Sequence, residues 1–407
     1  MKSKAQEMSD TRAPAADSRL RVAMVDIAAS RDGALSILKD FVACIASQDI
    51  GVDWVCLVSS DAVSSSVPWV RIERVHWPKR SVAGRLLWEC AGARVAIRKA
   101  GVDGVLSMQN MTVLGCSLPQ VVYVHQPLPF ASWAKWSIWR RSETELALRA
   151  FLQKPLIVHS VRVAERTIVQ TRWMKEAVAQ VAHVSPDRIE VIWPTLVNAA
   201  TTETGSVERY EGRIPEFFYP AAPWRYKDHA SLERALRILQ DEGERWTALF
   251  TITGHENACA RQIANEAKGL GGGVVLAGQL PRKQIAEFYA QSILVFPSWL
   301  ESFGLPLMEV REAGGWVVAA DTPFAREILD GYPRAVFSKR SSPVDLAGCM
   351  RVAWNARHDS AGETQAEDVR PARSSVGGGW EGVASTVNSA IRAAWLRREA
   401  PRKGSLR

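Results

Sequence analysis

Two glutamates, Glu301 and Glu309, stand in the segment PSWLESFGLPLMEVREAGG (297–315) with seven residues between them. Pro306 suits the first turn of a helix, which puts Glu301 on the preceding loop and Glu309 inside the helix. A carboxylate accepts hydrogen bonds from paired hydroxyls, and ribose and hexoses supply such pairs. Backbone amides at a helix start favour phosphate or sugar oxygens. The plain alternative is a surface helix whose acids complement its dipole.

A second segment, FFYPAAPWRYKDHASLERAL (217–236), reads as strand, loop and helix. Its loop carries Arg225 and Lys227. Cations beside a helix start can hold a diphosphate; a solvated surface lysine is the alternative. A third, MVDIAASRDGALSILKDF (24–41), places Gly33 at a helix start, where backbone could approach a phosphate. It has no G-x-G-x-x-G, which argues against a nicotinamide or flavin dehydrogenase. A fourth pair of segments, LSMQNMTV and VVYVHQPLPF, sets Asn110 and His125 at strand ends. His125 could equally be a satisfied structural histidine. No Asp-x-Asp falls at a strand end, so no metal or cofactor is expected.

These residues need a frame with loops converging on a cleft. RVAMVDI (21–27) is a strand-like run, followed by a turn and a helical pattern. The alternation recurs through DWVCLVSS, DGVLSMQN, QVVYVHQ, RTIVQT and IEVIWP, then restarts at EFFYPA and continues through WTALFTITG, GVVLAG, ILVFPS and WVVAAD. Such alternation implies α/β architecture with parallel sheets. The expected layout is a polar leader over 1–19 and a Rossmann-like domain over 20–196. A linker over 197–215 leads to a second Rossmann-like domain over 216–375. A C-terminal helix over 376–396, which could return to the first domain, and a basic tail over 397–407 complete it.

The Glu301–Glu309 segment resembles the glutamate signature of glycosyltransferase family 4, and the likeness runs over roughly residues 20–395. The resemblance implies the GT-B fold, two Rossmann-like domains facing a central cleft. It implies retaining, metal-independent transfer of a hexose from a nucleotide-diphosphate sugar. Glu309 would bind the ribose hydroxyls and Glu301 would face the transferred sugar, with backbone support from Phe303, Gly304 and Leu305. Lys227 would neutralise the leaving diphosphate. Many members also carry an arginine slightly earlier, and Arg225 lies closer to the lysine than that residue does. Gly33 would abut the diphosphate, Gly278 the nucleoside base, and His125 and Asn110 the sugar or acceptor. Arg326-Glu327 matches a family segment facing the site. HQPLPF resembles a branch that builds bacterial surface polysaccharide, including lipopolysaccharide, which implies a glycan or lipid-linked acceptor. A sugar-nucleotide epimerase on the same fold and an inactive nucleotide-sugar-binding partner are the alternatives. His255 receives no role.

Composition narrows the setting. The 407 residues suffice for two domains and carry a net charge of +8. The pI of about 9.3 favours anionic partners, but no nucleic-acid recognition motif appears. Six scattered cysteines without a C-x-x-C pair read as reduced core residues of a cytoplasmic protein. No run of about 20 apolar residues could span a bilayer. Sixteen tryptophans include Trp133, Trp136 and Trp139, which recur at helical spacing beside Lys135, Arg140 and Arg141. That pattern predicts a basic aromatic helix over 133–149 that could lie on an anionic membrane; tryptophans packed in the core or lining the acceptor cleft are the other reading.

Overall fold

The computed structural model describes residues 18–29, 32–131, 133, 136–137, 139–140, 143–195, 209–359 and 376–399. The leader up to residue 17, the linker up to residue 208, the tail beyond residue 399, and Lys135 and Arg141 lie outside the described residues.

The first sheet contains β1 (Leu20–Asp26), β2 (Val52–Val58), β3 (Val70–Arg74), β4 (Gly104–Ser107), β5 (Gln120–Val124), β6 (Arg166–Val169) and β7 (Ile189–Val191). The second contains β8 (Phe217–Tyr219), β9 (Ala248–Phe250), β10 (Val274–Leu276), β11 (Ile293–Phe296), β12 (Trp316–Ala320) and β13 (Ala335–Ser338). Every ladder is parallel, in the orders β3-β2-β1-β4-β5-β6-β7 and β10-β9-β8-β11-β12-β13. Parallel strands need crossover connections, and helices on both faces explain why β1 is buried at every residue but Arg21. In each sheet the order reverses once, between β1 and β4 and between β8 and β11. Loops leaving those strand ends frame the crevice where doubly wound folds bind ligands.

The helices of the first half are α1 (Asp32–Ser47), α2 (Val82–Leu87), α3 (Ala93–Ala100), α4 (Thr144–Val163) and α5 (Arg172–Ala182). Those of the second are α6 (His229–Asp241), α7 (Ala258–Lys268), α8 (Arg282–Gln291), α9 (Leu305–Glu312), α10 (Pro323–Ile328) and α11 (Pro343–Asp359), and α12 (Gly379–Glu399) ends the described chain. The sequence pattern had not picked out β3, β13, α10 or α11. The expected aromatic helix over 133–149 is not formed as such: α4 starts only at Thr144, and the described residues between 133 and 140 are a turn, bends and irregular backbone. The tryptophans there are held one by one instead. Trp133 packs on Trp173, Trp136 stacks on Trp299, and Trp139 is 89% exposed.

Helix α12 lies on the first sheet beside α1. Its Trp380, Val383, Val387, Ile391 and Trp395 share a core with β1, β2 and Phe41. The Trp380 indole donates to the Thr195 carbonyl at 2.9 Å and that of Trp395 to Asp103 at 2.8 Å. Gly104 on β4 permits this approach, because a Cβ there would sit 2.4 Å from Ile391 Cδ1. Gly104→Ala should therefore destabilise the protein by about 1–3 kcal/mol through overpacking. Ile391→Val, which removes the clashing methyl, should restore part of that loss. Urea midpoints of the two single variants and the double variant check this, and simple additivity would contradict the contact.

Candidate active site

At the second reversal, β8 runs into a loop and a 3₁₀ turn over Arg225–Lys227, and β11 runs into the loop that precedes α9. Both loops leave the same edge of the sheet. They meet where Lys227 Nζ donates to Glu301 Oε1 at 2.5 Å, with side-chain exposures of 15% and 14%. Ser298 Oγ lies 2.6 Å from the same carboxylate oxygen. The loops are cross-braced: Trp299 N donates to the Tyr226 carbonyl at 3.0 Å, and the buried Tyr219 hydroxyl donates to the Lys227 carbonyl at 2.6 Å. A partly buried ion pair of this kind keeps each charge compensated until something more strongly charged enters.

Gly304 ends the β11 loop at φ +91, a conformation that favours glycine, and Pro306 occupies the first turn of α9. Glu309 sits one turn further on. Tyr289 on α8 donates to Glu309 Oε2 at 2.8 Å, and Arg282 Nη2 donates to Oε1 at 3.1 Å. A carboxylate has about four acceptor positions, so further hydroxyl donors can still be accommodated. Arg282 also donates through Nη1 to Ser36 of α1 at 2.8 Å, which ties this corner to the first domain. Asp40, one turn beyond Ser36, has its pKa pushed up to about 7 by burial despite Arg282 nearby. Gly33, at the start of α1, faces Leu305, whose methyl would lie 3.7 Å from a Cβ there.

On the first-domain side, Asn110 adopts φ +68 and its Oδ1 accepts from the amides of His125 at 2.7 Å and Gln126 at 2.8 Å. Its Nδ2 lies 3.3 Å from His125 Nε2, so the side chain fixes both the strand end and the ring. Burial pulls the His125 imidazole down to about 4, which keeps it neutral near pH 7. Beyond β1 and β4 sits a polar group the sequence did not signal. Asp26 is 3% exposed and accepts from Ala29 N, and burial raises its pKa to about 7 although Lys79 and Arg85 lie nearby. Arg85 pairs with Glu89 at 2.6 Å and reaches Gln109 at 3.4 Å.

The seam between the domains combines polar and aromatic contacts. Ser302 donates to Gln170 Oε1 at 2.7 Å, while Thr171 donates to the Ser302 carbonyl at 2.8 Å. Phe303 is buried edge-on against Trp193. Glu327 accepts from Arg172 N at 2.8 Å and from the Trp193 indole at 3.3 Å.

Several sequence-selected residues thus converge: Lys227 with Glu301, Gly33 with Leu305, and Asn110 with His125. Others turn elsewhere. Arg225 is paired at 3.0 Å with Glu143 of the first domain. Arg326 forms a two-point pair with Asp321 and stacks on Phe337. Gly278 ends β10 at the sheet's edge with φ +68, beside Thr253. His255 makes only a local backbone contact with Thr253. Sequence reasoning passed over Arg282, Tyr289, Ser298, Ser36, Gln170 and Glu143. Ser298 lies within the glutamate segment itself, three residues from Glu301, whereas the others become partners only when distant elements pack.

Comparison with known proteins bears on this arrangement. Residues 31–197 match the family model described as Glycosyltransferase Family 4, and residues 212–355 match that described as Glycosyl transferases group 1. No curated protein matches in sequence. Among solved structures, WaaG, a glycosyltransferase involved in lipopolysaccharide biosynthesis, aligns at a TM-score of 0.59 with 14% identity, over 94% of this chain and 100% of its own. Anabaena Alr3699/HepE, solved in complex with UDP-glucose, aligns at 0.58 with 14% identity, over 93% and 99%. Sucrose-phosphate synthase from Thermosynechococcus elongatus aligns at 0.60 with 15% identity, over 94% and 99%. The shared frame is GT-B, two parallel sheets whose switch points face one cleft. By its two domain matches and that frame, the chain is a glycosyltransferase, belonging to family 4 in its first domain and to group 1 in its second.

Proposed function

We propose that the enzyme transfers a hexose, with retention of configuration and without a metal, from a nucleotide-diphosphate sugar to a glycan or lipid-linked acceptor in cell-surface polysaccharide synthesis. One observation carries the reading: the Lys227–Glu301 pair at the β8/β11 reversal, with Glu309 one turn into α9. The Anabaena structural neighbour was solved with UDP and with UDP-glucose, and WaaG and a galactosyltransferase, WaaB, belong to lipopolysaccharide synthesis. These neighbours favour a nucleotide-sugar donor and a surface-glycan product.

In this reading Glu309 accepts the ribose hydroxyls, its geometry fixed by Tyr289 and Arg282. Gly278 leaves room at the edge for the base. The diphosphate lies across Gly33 and the first amides of α9 from Phe303, Gly304 and Leu305. Lys227 gives up Glu301 for the β-phosphate and neutralises charge as the sugar–phosphate bond stretches. Glu301, released, accepts hydroxyls of the transferred sugar. Asn110 and neutral His125 face that sugar or the acceptor from the first domain, and the departing phosphate takes the acceptor proton on the same face. Placement and electrostatic neutralisation carry such a reaction.

A panel of UDP- and GDP-sugars should raise the apparent melting temperature only for true donors. Glu309→Ala should weaken nucleoside-diphosphate affinity by about 1.5–3 kcal/mol, the worth of hydrogen bonds to a charged group. Calorimetry decides it, and unchanged affinity in a folded variant refutes the ribose role. Lys227→Ala should depress turnover even at saturating donor.

In this reading the Lys227 ammonium, and not a divalent ion, neutralises the leaving diphosphate. Transfer should therefore persist in EDTA; full loss restored by magnesium or manganese would overturn this assignment.

A lipid-linked acceptor requires access to a membrane from its cytoplasmic face. No helix among the described residues is long and apolar enough to cross one. Helix α4 nevertheless exposes Leu148, Phe151, Leu152 and Leu156, and Trp139, five residues before its start, is 89% exposed. In a protein of net charge +8 this surface suits reversible binding to anionic lipid, each nearby basic residue adding roughly 1 kcal/mol. Co-sedimentation with anionic vesicles should exceed that with neutral ones and fall with salt. Equal, negligible binding to both would remove the membrane from the proposal and leave the transferase intact.

A further inference from the structure

Glu143 is the least accounted-for charge at the seam. Its side chain is only 2% exposed, a costly place for a carboxylate unless it is paired and hydrogen-bonded. It accepts from Ser137 N at 2.8 Å and from Arg140 at 3.2 Å within its own domain. A further partner among the described residues, Arg225 at 3.0 Å, comes from the other domain. Arg225 opens the 3₁₀ turn that Lys227 closes, and that turn is stiff. Lys227 N donates to the Trp224 carbonyl at 2.9 Å, and Asp228 N to that of Arg225 at 3.1 Å.

The two neighbours of Arg225 are gripped from the same side. Arg149 lies over the Trp224 ring at 5.6 Å. Trp136 meets Tyr226 edge-on at 6.3 Å and stacks on Trp299 at 5.5 Å with an interplanar angle of 17°. Three consecutive residues before Lys227 are thus held by Arg149, Glu143 and Trp136 of the first domain. Among these contacts the Glu143–Arg225 pair alone is an ion pair. The pair is one short contact, Arg225 Nε to Glu143 Oε1, and the attraction of the buried carboxylate holds the turn toward the first domain.

We propose that Glu143 is a positioning residue for Lys227. Through Arg225 it locks the 225–227 turn against the first domain, and the ammonium reaches a donor diphosphate in its working orientation only when the domains are closed on each other. Arg225 then serves the turn rather than the phosphates. The inference rests on the reading that Lys227 meets the donor diphosphate.

The test is the affinity ratio of nucleoside diphosphate to monophosphate, measured by calorimetry with UDP and UMP and with GDP and GMP. The ratio isolates the terminal phosphate and is blind to the nucleoside pocket at Glu309. Lys227→Ala should reduce the ratio about tenfold, the worth of one charge-assisted hydrogen bond. Glu143→Gln, nearly isosteric, should reduce it about fivefold while leaving monophosphate affinity unchanged, since a displaced ammonium still retains part of its attraction. The double variant Glu143→Gln/Lys227→Ala should match Lys227→Ala alone. Arg225→Gln, made at the half-exposed end of the pair, should reproduce Glu143→Gln and supplies the answer if that variant does not fold; Arg225→Lys should recover part of the ratio. If Lys227→Ala lowers the ratio but Glu143→Gln and Arg225→Gln leave it at the wild-type value, the positioning role is wrong and the donor site stands. A ratio unmoved by Lys227→Ala, or no binding in either nucleotide series, overturns the donor reading and this inference with it.

Discussion

The ion pair between Lys227 and Glu301 organises the cleft. It joins the two loops that leave β8 and β11, and neither loop has a regular ladder to hold it. Taken out of water, each charge relies on the other, on Ser298 and on the aromatic rings of Tyr226 and Phe296 beneath the ammonium. Removing one partner would leave an uncompensated charge in a partly buried place. The arrangement is satisfied as it stands; in the proposed function a diphosphate and a sugar take over its two halves separately.

Everything around the pair works to keep the loops in register across the seam. On one side Ser36, Arg282 and Glu309 form a chain from the first domain to α9. Along the middle, Gln170 and Thr171 hold Ser302. On the far side Glu143 holds Arg225. These polar contacts are interleaved with aromatic ones, Trp136 on Trp299 and Tyr226 and Trp193 on Phe303. Separating the domains would therefore expose apolar surface as well as polar groups, and the seam is held by both kinds of contact.

Much of this frame was legible in the amino-acid order. Buried parallel strands demand unbroken apolar runs, so most strands announced themselves, and the glutamate and lysine segments carried their own loop–helix punctuation. What escaped has physical reasons. The edge strands β3 and β13 are half-solvated and short, and their runs VRIER and AVFS give little pattern. Tryptophans at helical spacing suggested a helix, but aromatic rings found partners in Trp173 and Trp299, and those tertiary contacts overrode the local period. Asn110 and His125 could each be placed at a strand end. Their pairing depends on a left-handed backbone at Asn110, which no spacing encodes. Glu143, Arg282 and Tyr289 acquire meaning only through neighbours far away in sequence.

The return of α12 to the first sheet has a mechanical consequence. The chain leaves the first domain after Thr195 and comes back before Val376, so the second domain is attached at both of its ends, like an insert spliced into the first. A body held by a single tether can spin and drift. One attached at two neighbouring points has less freedom than one attached at a single point. Trp380 fastens the returning tether to the outgoing one through the Thr195 carbonyl. Both connections between the domains therefore lie on one flank of the first domain, and Trp380 couples them there.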